Sequence, residues 1–321
     1  MRLALLDIGS AAARLEVVEL DDPRMPRAAW SVKARTRLAE HTQVSGEVTE
    51  DGVQRAVGAV RHCVRAAEEV QPDALIAYGT AAVRDAVNAA ELRERLGEAA
   101  GVRIRALSPS DEAAVAHHAA RRWRGRSGQM LTTVDIGGGT TDVVAGTGDG
   151  SPEVVALPFG AARLTRTYLP DDPPGPGQVA ELAELLRETV PRALSGLAGR
   201  ELGHPMALSK VLRQLAVLTE SSPDSTARHP YRLRLHRLRP WIPQLAELDQ
   251  RQRAKLPGVS RNRGRRILAG AMTAELVLET LGIEELEICP WGLREGLVYL
   301  FVEARTETPR DALALAGDLF T

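Results

Sequence analysis

The string Asp135-Ile-Gly-Gly-Gly-Thr-Thr-Asp142 carries the most chemistry in this 321-residue chain. Three successive glycines let a backbone approach a ligand closely and turn its N–H groups inward, forming a nest for anionic oxygens. Thr140 and Thr141 add hydroxyl donors. Asp135 and Asp142 flank the nest with carboxylates, which suit Mg²⁺ bridged to phosphate oxygens. The bland alternative is a glycine-rich hairpin with polar flanks. A triple glycine bracketed by aspartate at both ends favours a site.

A weaker copy occurs earlier. Asp7-Ile-Gly-Ser10 repeats the strand–Asp-Ile-Gly–turn unit, its aspartate 128 residues before Asp135 (135 minus 7). The match makes Asp7 the counterpart of Asp135 and a third candidate metal position, with Gly9 and Ser10 as candidate phosphate contacts. Ala11 and Ala12 offer no side-chain donor, so only Ser10 and the main chain can bind there. Tyr78-Gly-Thr-Ala-Ala-Val-Arg84 ends a strand and opens a helix, whose N-terminus attracts anions. Arg84 could clamp a phosphate bidentately or simply be a surface arginine. Glu112 follows a Ser110 cap, where it either serves the helix dipole or deprotonates water beside the nest. The residues alone leave both pairs of readings open.

The elements that must carry these residues follow from periodicity. Leu3 to Ile8 and Leu15 to Leu20 read as a hairpin around Gly9 to Ala13, and Trp30 to Arg37 as a third strand. Thr49 caps a helix with Val53, Val57, Val60 and Val64 on one stripe. Strands follow at Ala74 to Tyr78 and Val102 to Leu107. Gly125-Arg-Ser-Gly128 then interrupts the chain, and the opening pattern recurs in Met130 to Ile136, Asp142 to Ala145 and Glu153 to Leu157. Helices are expected over Gln178 to Ala193, Ser209 to Thr219, Ile242 to Lys255, Arg263 to Leu281 and Gly292 to Ala304. A short strand is expected at Glu287 to Cys289. The duplication predicts two related α/β domains, 1–124 and 125–321, each presenting a glycine turn to a shared cleft. The last helix would return to the first domain.

Composition narrows the function. Apolar residues are 44% and charged residues 26%, an ordinary globular balance. Arg and Lys total 41 against 42 Asp and Glu, a net charge of -1 that excludes binding to nucleic acid by bulk charge. Aromatics are 3%, too few for stacking platforms. Cys63 and Cys289 cannot make a disulfide framework or a four-ligand zinc site. Asp7 arrives too early for a signal peptide, and no apolar run reaches membrane-spanning length. A cytoplasmic protein without a membrane segment is expected. The arginine-rich stretches Arg228–Arg239 and Arg261–Arg266 read as a solvated face or as a track for a polyanion.

Taken together, from Asp7-Ile-Gly-Ser10 to Pro290-Trp-Gly-Leu-Arg-Glu-Gly296, the chain resembles the exopolyphosphatase/guanosine pentaphosphate phosphatase (Ppx/GppA) family in its short actinobacterial form. The resemblance implies two actin-like (ribonuclease H-like) domains of the sugar kinase/heat-shock/actin superfamily facing an interdomain cleft. It implies Mg²⁺-assisted release of terminal phosphate from inorganic polyphosphate, extending to guanosine pentaphosphate in some members, and pairing into a homodimer. Glu112 falls on the family's catalytic glutamate. Asp135 and Asp142 fall on its metal- and water-handling acidic positions, although Asp142 is usually Glu there. Gly137, Gly138, Gly139, Thr140 and Thr141 match the phosphate loop, Arg84 the phosphate-contacting arginine, and Asn88 its polar neighbour. Leu293-Arg-Glu-Gly296 matches a closing motif of structural character.

The departures are Ala11 and Ala12 for Asn and Ser or Thr, Pro109-Ser110 for Gly-Glu, Ala114 for Arg, and Leu208 within the turn Ala207-Leu-Ser-Lys210. They leave a second reading, a polyphosphate- or alarmone-binding regulator without turnover. A third, an ATP-binding filament former, lacks the later Gly-Gly turn that would cradle adenosine.

Overall fold

The structure, a computed structural model, describes residues 1–21, 27–125, 128–148, 150–220, 231–261 and 263–305. It divides into two compact units, Met1–Asp111 joined by the chain from Leu297 onward, and Glu112–Gly296. The division falls earlier than the Gly125–Gly128 break, whose Arg126 and Ser127 lie outside the described residues.

The first unit contains strands β1 (Arg2–Ile8), β2 (Ala12–Glu19) and β3 (Arg27–Arg35), then helix α1 (Glu50–Glu68) and strand β4 (Ala74–Gly79). Helices α2 (Ala81–Arg84) and α3 (Ala89–Ala100) lead to strand β5 (Ile104–Ala106). The sheet order is β3-β2-β1-β4-β5, with β1 antiparallel to β2 and parallel to β4. Strand β1 is central, so Leu3, Ala4, Leu5 and Leu6 are all buried and the alternation expected of a half-exposed strand disappears. Ala4, Leu6 and Ile8 pack with Val53, Val60, Leu92 and Leu96 in one core. Thr49 caps α1 through Gly52 N–H, as expected.

The second unit opens within helix α4 (Pro109–Arg124). Strands β6 (Leu131–Ile136), β7 (Thr141–Gly146) and β8 (Glu153–Leu157) follow, then helices α5 (Ala161–Tyr168) and α6 (Pro176–Ala193). Next come β9 (His204–Ala207), α7 (Lys210–Thr219), β10 (Arg232–Arg234), α8 (Leu235–Leu238), α9 (Trp241–Glu247), α10 (Gln250–Arg253), α11 (Ile267–Leu281), β11 (Glu285–Ile288) and α12 (Leu293–Arg305), whose later turns return to the first unit. The order β10-β11-β9-β6-β7-β8 repeats the first sheet's arrangement with β10 added at one edge. In both sheets an antiparallel three-strand meander continues into two parallel strands. This is the ribonuclease H-like, actin-like topology that the family resemblance implies, present twice as the duplication predicts.

One face of the second sheet, carrying Val134, Ile136 and Val143, packs on Leu164, Leu182, Leu186, Leu212 and Leu268. Helix α11 is buried along nearly its whole first half, as an apolar helix must be. The opposite face carries Leu131 and Met206 against Ala120 and Trp123 of α4. Among the described residues, no helix is long and apolar enough to cross a membrane.

Candidate active site

The turn between β6 and β7 is held from behind. Gly137 N–H donates to Thr140 C=O (2.9 Å), closing the turn. Ala161 N–H donates to Gly137 C=O (2.9 Å), and Ala162 and Arg163 N–H both donate to Gly138 C=O (3.1 and 3.0 Å). Because a trans peptide sets N–H opposite C=O, the amides of Gly138 and Gly139 face away from α5. Both residues are exposed. A Cβ at Gly139 would meet nothing within 4 Å, and one at Gly138 only Ala162 Cβ at 3.8 Å. Neither has positive φ. These two glycines therefore answer no internal demand of packing or backbone angle; what they leave is room for a ligand against main-chain donors.

Asp135 and Asp142 are direct cross-strand partners, so their side chains share one face of the sheet with Thr133. Thr140 Oγ1 donates to Asp142 Oδ2 (3.0 Å). Burial, with the Asp142 charge adding to it, pushes the Asp135 carboxyl up to about 7. Leu208 N–H donates to Val134 C=O (3.0 Å), carrying the β6–β9 pairing one residue beyond Ala207. Two carboxylates side by side, one held near neutrality, form a donor pair that a divalent cation would relieve. Among the described residues no group of three or more His, Cys, Asp and Glu is arranged to hold a metal unaided. Mg²⁺ needs no such cage, since one or two carboxylates with phosphate oxygens and water complete its shell. The pair fits that ion.

Helix α4 runs antiparallel to β6 on this same face. Arg121 Nη1 donates to Gln129 C=O (3.1 Å) and Gly146 C=O (3.2 Å), at the start of β6. His117 Nδ1 lies 3.1 Å from Thr133 Oγ1, further along the strand. From His117 back to Glu112 is about 7.5 Å of helix, and from Thr133 on to Asp135 is about 6.6 Å of strand. The turn carrying Glu112 is thus level with Asp135 at the glycine end of the sheet. The cap of α4 differs from expectation: Ser108, not Ser110, accepts from Asp111 N–H (3.1 Å), while Asp111 Oδ2 accepts from Ser108 N–H (3.3 Å). Pro109 then takes the first helical position, which proline favours.

The corresponding turn of the first unit is anchored differently. Thr36 Oγ1 donates to Gly9 C=O (2.8 Å), Ala39 N–H to Ser10 C=O (3.1 Å), and Thr36 and Arg37 N–H to Ala11 C=O (3.2 and 3.3 Å). With those carbonyls engaged, the Ser10 and Ala11 amides face the other way, and both residues are exposed. Asp7, next to last in β1, lies opposite Arg14 where the second unit has Asp135 opposite Asp142, so of the two turns only the second copy pairs carboxylates.

Not every expected residue reaches these surfaces. Thr141 is fully buried on the other face of its strand, with Val143 and Ala145, so its hydroxyl is turned from the phosphate side. Arg84 spends Nε and Nη2 on Asp85 (2.7 and 3.1 Å) and Nη1 on Leu107 C=O (3.1 Å), which leaves phosphate to compete with Asp85. Asn88 bridges both main-chain groups of Val48 (3.0 Å each), a purely structural post. Of the arginine stretches, Arg228 lies outside the described residues. Arg232, Arg234, Arg237 and Arg239 are ion-paired with Glu220, Glu275, Glu279 and Glu285. Sequence reasoning missed Thr36, for which no signal exists, and Gly160, whose place in the Gly160-Ala-Ala162 run at a strand-to-helix junction was a legible cue.

Comparison with known proteins places the chain and its fold. Residues 17–304 match the Ppx/GppA phosphatase family. Exopolyphosphatase 1 of Mycobacterium tuberculosis is 39% identical over 303 residues, spanning 93% of this chain and 87% of that protein. A guanosine-5'-triphosphate,3'-diphosphate pyrophosphatase of Vibrio parahaemolyticus is 23% identical over 301 residues, 94% of this chain and 59% of that one. The crystal structure of the Aquifex aeolicus Ppx/GppA family member superposes with a TM-score of 0.82 at 26% identity, over 96% of this chain and 99% of that one. Two ribonuclease H-like sheets and outward-facing amides at a triple-glycine turn accompany a match along nearly the whole sequence: the chain belongs to the Ppx/GppA phosphatase family.

Proposed function

We propose that this protein is an exopolyphosphatase, releasing the terminal phosphate of inorganic polyphosphate by in-line attack of water. The observation that carries the reading is the glycine turn with its amides aimed outward while Glu112 rides level with Asp135. The Gly138 and Gly139 amides, joined by Thr140, hold the non-bridging oxygens of the terminal phosphate. Glu112 orients the attacking water and takes its proton as the P–O bond to the shortened chain breaks. Asp135 and Asp142 would hold Mg²⁺, which would supply neutralisation of phosphate charge when bound. Within the first unit, the outward Ser10 amide offers a main-chain donor of the same kind to phosphate, with Asp7 beside it as a candidate metal position.

The altered side chains at Ala11 and Ala12 do not remove the main-chain donors of their turn, so turnover is favoured over a binding-only role. Guanosine pentaphosphate is a second substrate on this reading, supported by the same terminal phosphoanhydride chemistry. The test is phosphate release from polyphosphate of several lengths, guanosine pentaphosphate and ATP, with and without Mg²⁺. Mg²⁺-dependent release from polyphosphate is expected. Saturable polyphosphate binding without release under every condition would establish the regulator instead.

A further inference from the structure

We infer that Gly160 is a positioning residue of the phosphate turn, and that the first turn of α5 aims the turn's amides by gripping its carbonyls. The inference rests on the hydrolytic reading above and deepens it.

A helix begins with N–H groups that have no partner within the helix, and a side chain usually caps them. Helix α5 has no side-chain cap, because its N-cap residue is Gly160. The turn's own carbonyls do the capping, through the three bonds from Ala161, Ala162 and Arg163 to Gly137 and Gly138. The arrangement works in both directions. The helix end is satisfied, and the two peptide planes that carry the Gly138 and Gly139 amides are locked with their N–H groups outward.

Gly160 is glycine for space alone. Its φ of -138° and ψ of 178° are ordinary extended values open to any residue. A Cβ there would lie 2.6 Å from Gly137 O, 2.7 Å from Thr140 O and 2.8 Å from Gly138 C. All three are backbone atoms of the phosphate turn, so none can swing aside as a side chain would. A single methyl must push α5 and the turn apart, and the peptide planes lose the clamp that orients them. Oxyanion donors act through pre-set geometry, so a shift of an ångström can cost about 10²-fold in rate.

The test compares Gly160→Ala with Gly258→Ala. A Cβ at Gly258 would lie 2.6 Å from Val217 Cβ at a φ of +76°, a clash in the same unit against α7 rather than the phosphate turn. Both variants should lose thermal stability. Gly160→Ala is expected to lose about 10²-fold in kcat on polyphosphate, while Gly258→Ala stays within a few-fold of the parent. A third variant, Ala161→Pro, removes the donor to Gly137 C=O at a helix position that tolerates proline, and should reproduce the kcat loss. The three are read as kcat and KM separately at temperatures well below each melting point. If Gly160→Ala and Ala161→Pro keep kcat while Gly258→Ala does likewise, the clamp does not aim the amides and the inference is overturned. Should Gly160→Ala fail to fold, Ala161→Pro decides alone. A parent protein that releases no phosphate would instead defeat the proposed function, a result separate from either outcome.

Discussion

Glu112 is where the hydrolytic reading is most exposed to experiment, because its proposed role follows from its level along helix α4. The bonds of Arg121 and His117 fix how α4 lies along β6, and Glu112 is carried to the glycine end by the regular rise of the helix. Replacing it with Gln keeps size and polarity but removes the base. The expected result is a kcat lower by about 10²–10⁴-fold with KM nearly unchanged, measured by phosphate release. A variant as fast as the parent would assign Glu112 to the helix dipole. Residue by residue, the sequence and the structure part company in instructive places. Asp135, Asp142 and the glycines stood out because their spacing is improbable without a ligand. Thr141 was misjudged because a string of donors does not say which face of the strand each donor takes; the period of two turns its neighbour Thr140 toward Asp142 and buries Thr141. Arg84 is expected as a phosphate clamp or a surface arginine, and its bidentate hold on Asp85 arises from folding at a one-turn helix that spacing does not reveal.

At the scale of elements, the start of α4 offers a clean discrimination. Ser108 and Ser110 both suit an N-cap, but Pro109 can follow only the former as first helical residue. Ser108→Ala should destabilise the protein by about 1 kcal/mol and Ser110→Ala by much less, measured by chemical denaturation. Equal effects would mean that the cap is shared. Similar local chemistry explains where helix boundaries moved. The expected helix from Ile242 to Lys255 is two helices because Asp249 accepts from Gln252 N–H (2.8 Å) and Gln252 Oε1 accepts from Asp249 N–H (2.8 Å), a capping box that starts α10 afresh. Strand β9 was missed because His204-Pro-Met-Ala207 is too short and mixed to show a period; parallel pairing with β6 and β11 makes it a strand. The closing Leu293-Arg-Glu-Gly296 motif also gains a physical reason. A Cβ at Gly296 would sit 2.2 Å from Val115 C=O, so the glycine lets the start of α12 approach the α4 backbone.

For the molecule as a whole, two charge patterns lead to measurable behaviour. Burial, with Arg121 and then His118 adding to it, lowers the His117 pKa to about 3; burial, with Arg122 and Arg121 adding to it, lowers His118 to about 4. The unfolded chain titrates these histidines near 6.5, so between about pH 6.5 and 3 it binds more protons than the folded protein. Stability should therefore fall as pH drops through that window. His117→Gln combined with His118→Gln should flatten the dependence of Tm on pH; an unchanged slope would place the acid sensitivity elsewhere. The second pattern is the arginine stretch. Arg234 and Arg237 both hold the buried Glu220, and Arg234 also reaches Glu285, so this charge is spent inside the unit. Arg234→Ala should cost about 1–3 kcal/mol of stability by leaving Glu220 short of a partner. It should leave the preference among polyphosphate lengths unaltered in a competition assay. A selective loss of long chains would restore the polyanion track.

The linear sequence by itself determined the duplication, the two Asp-Ile-Gly turns and the long amphipathic and buried helices, and its motifs carried the family resemblance. The first three depend on chain-local spacing or composition, which a one-dimensional pattern records in full. The tertiary structure alone decided which donors are already spent, which face each threonine takes, and how each turn is anchored: by Thr36, Arg37 and Ala39 in one copy and by the first turn of α5 in the other. Those outcomes depend on pairings between segments distant along the chain, where hydrogen bonds and steric exclusion act through space and leave no period to read.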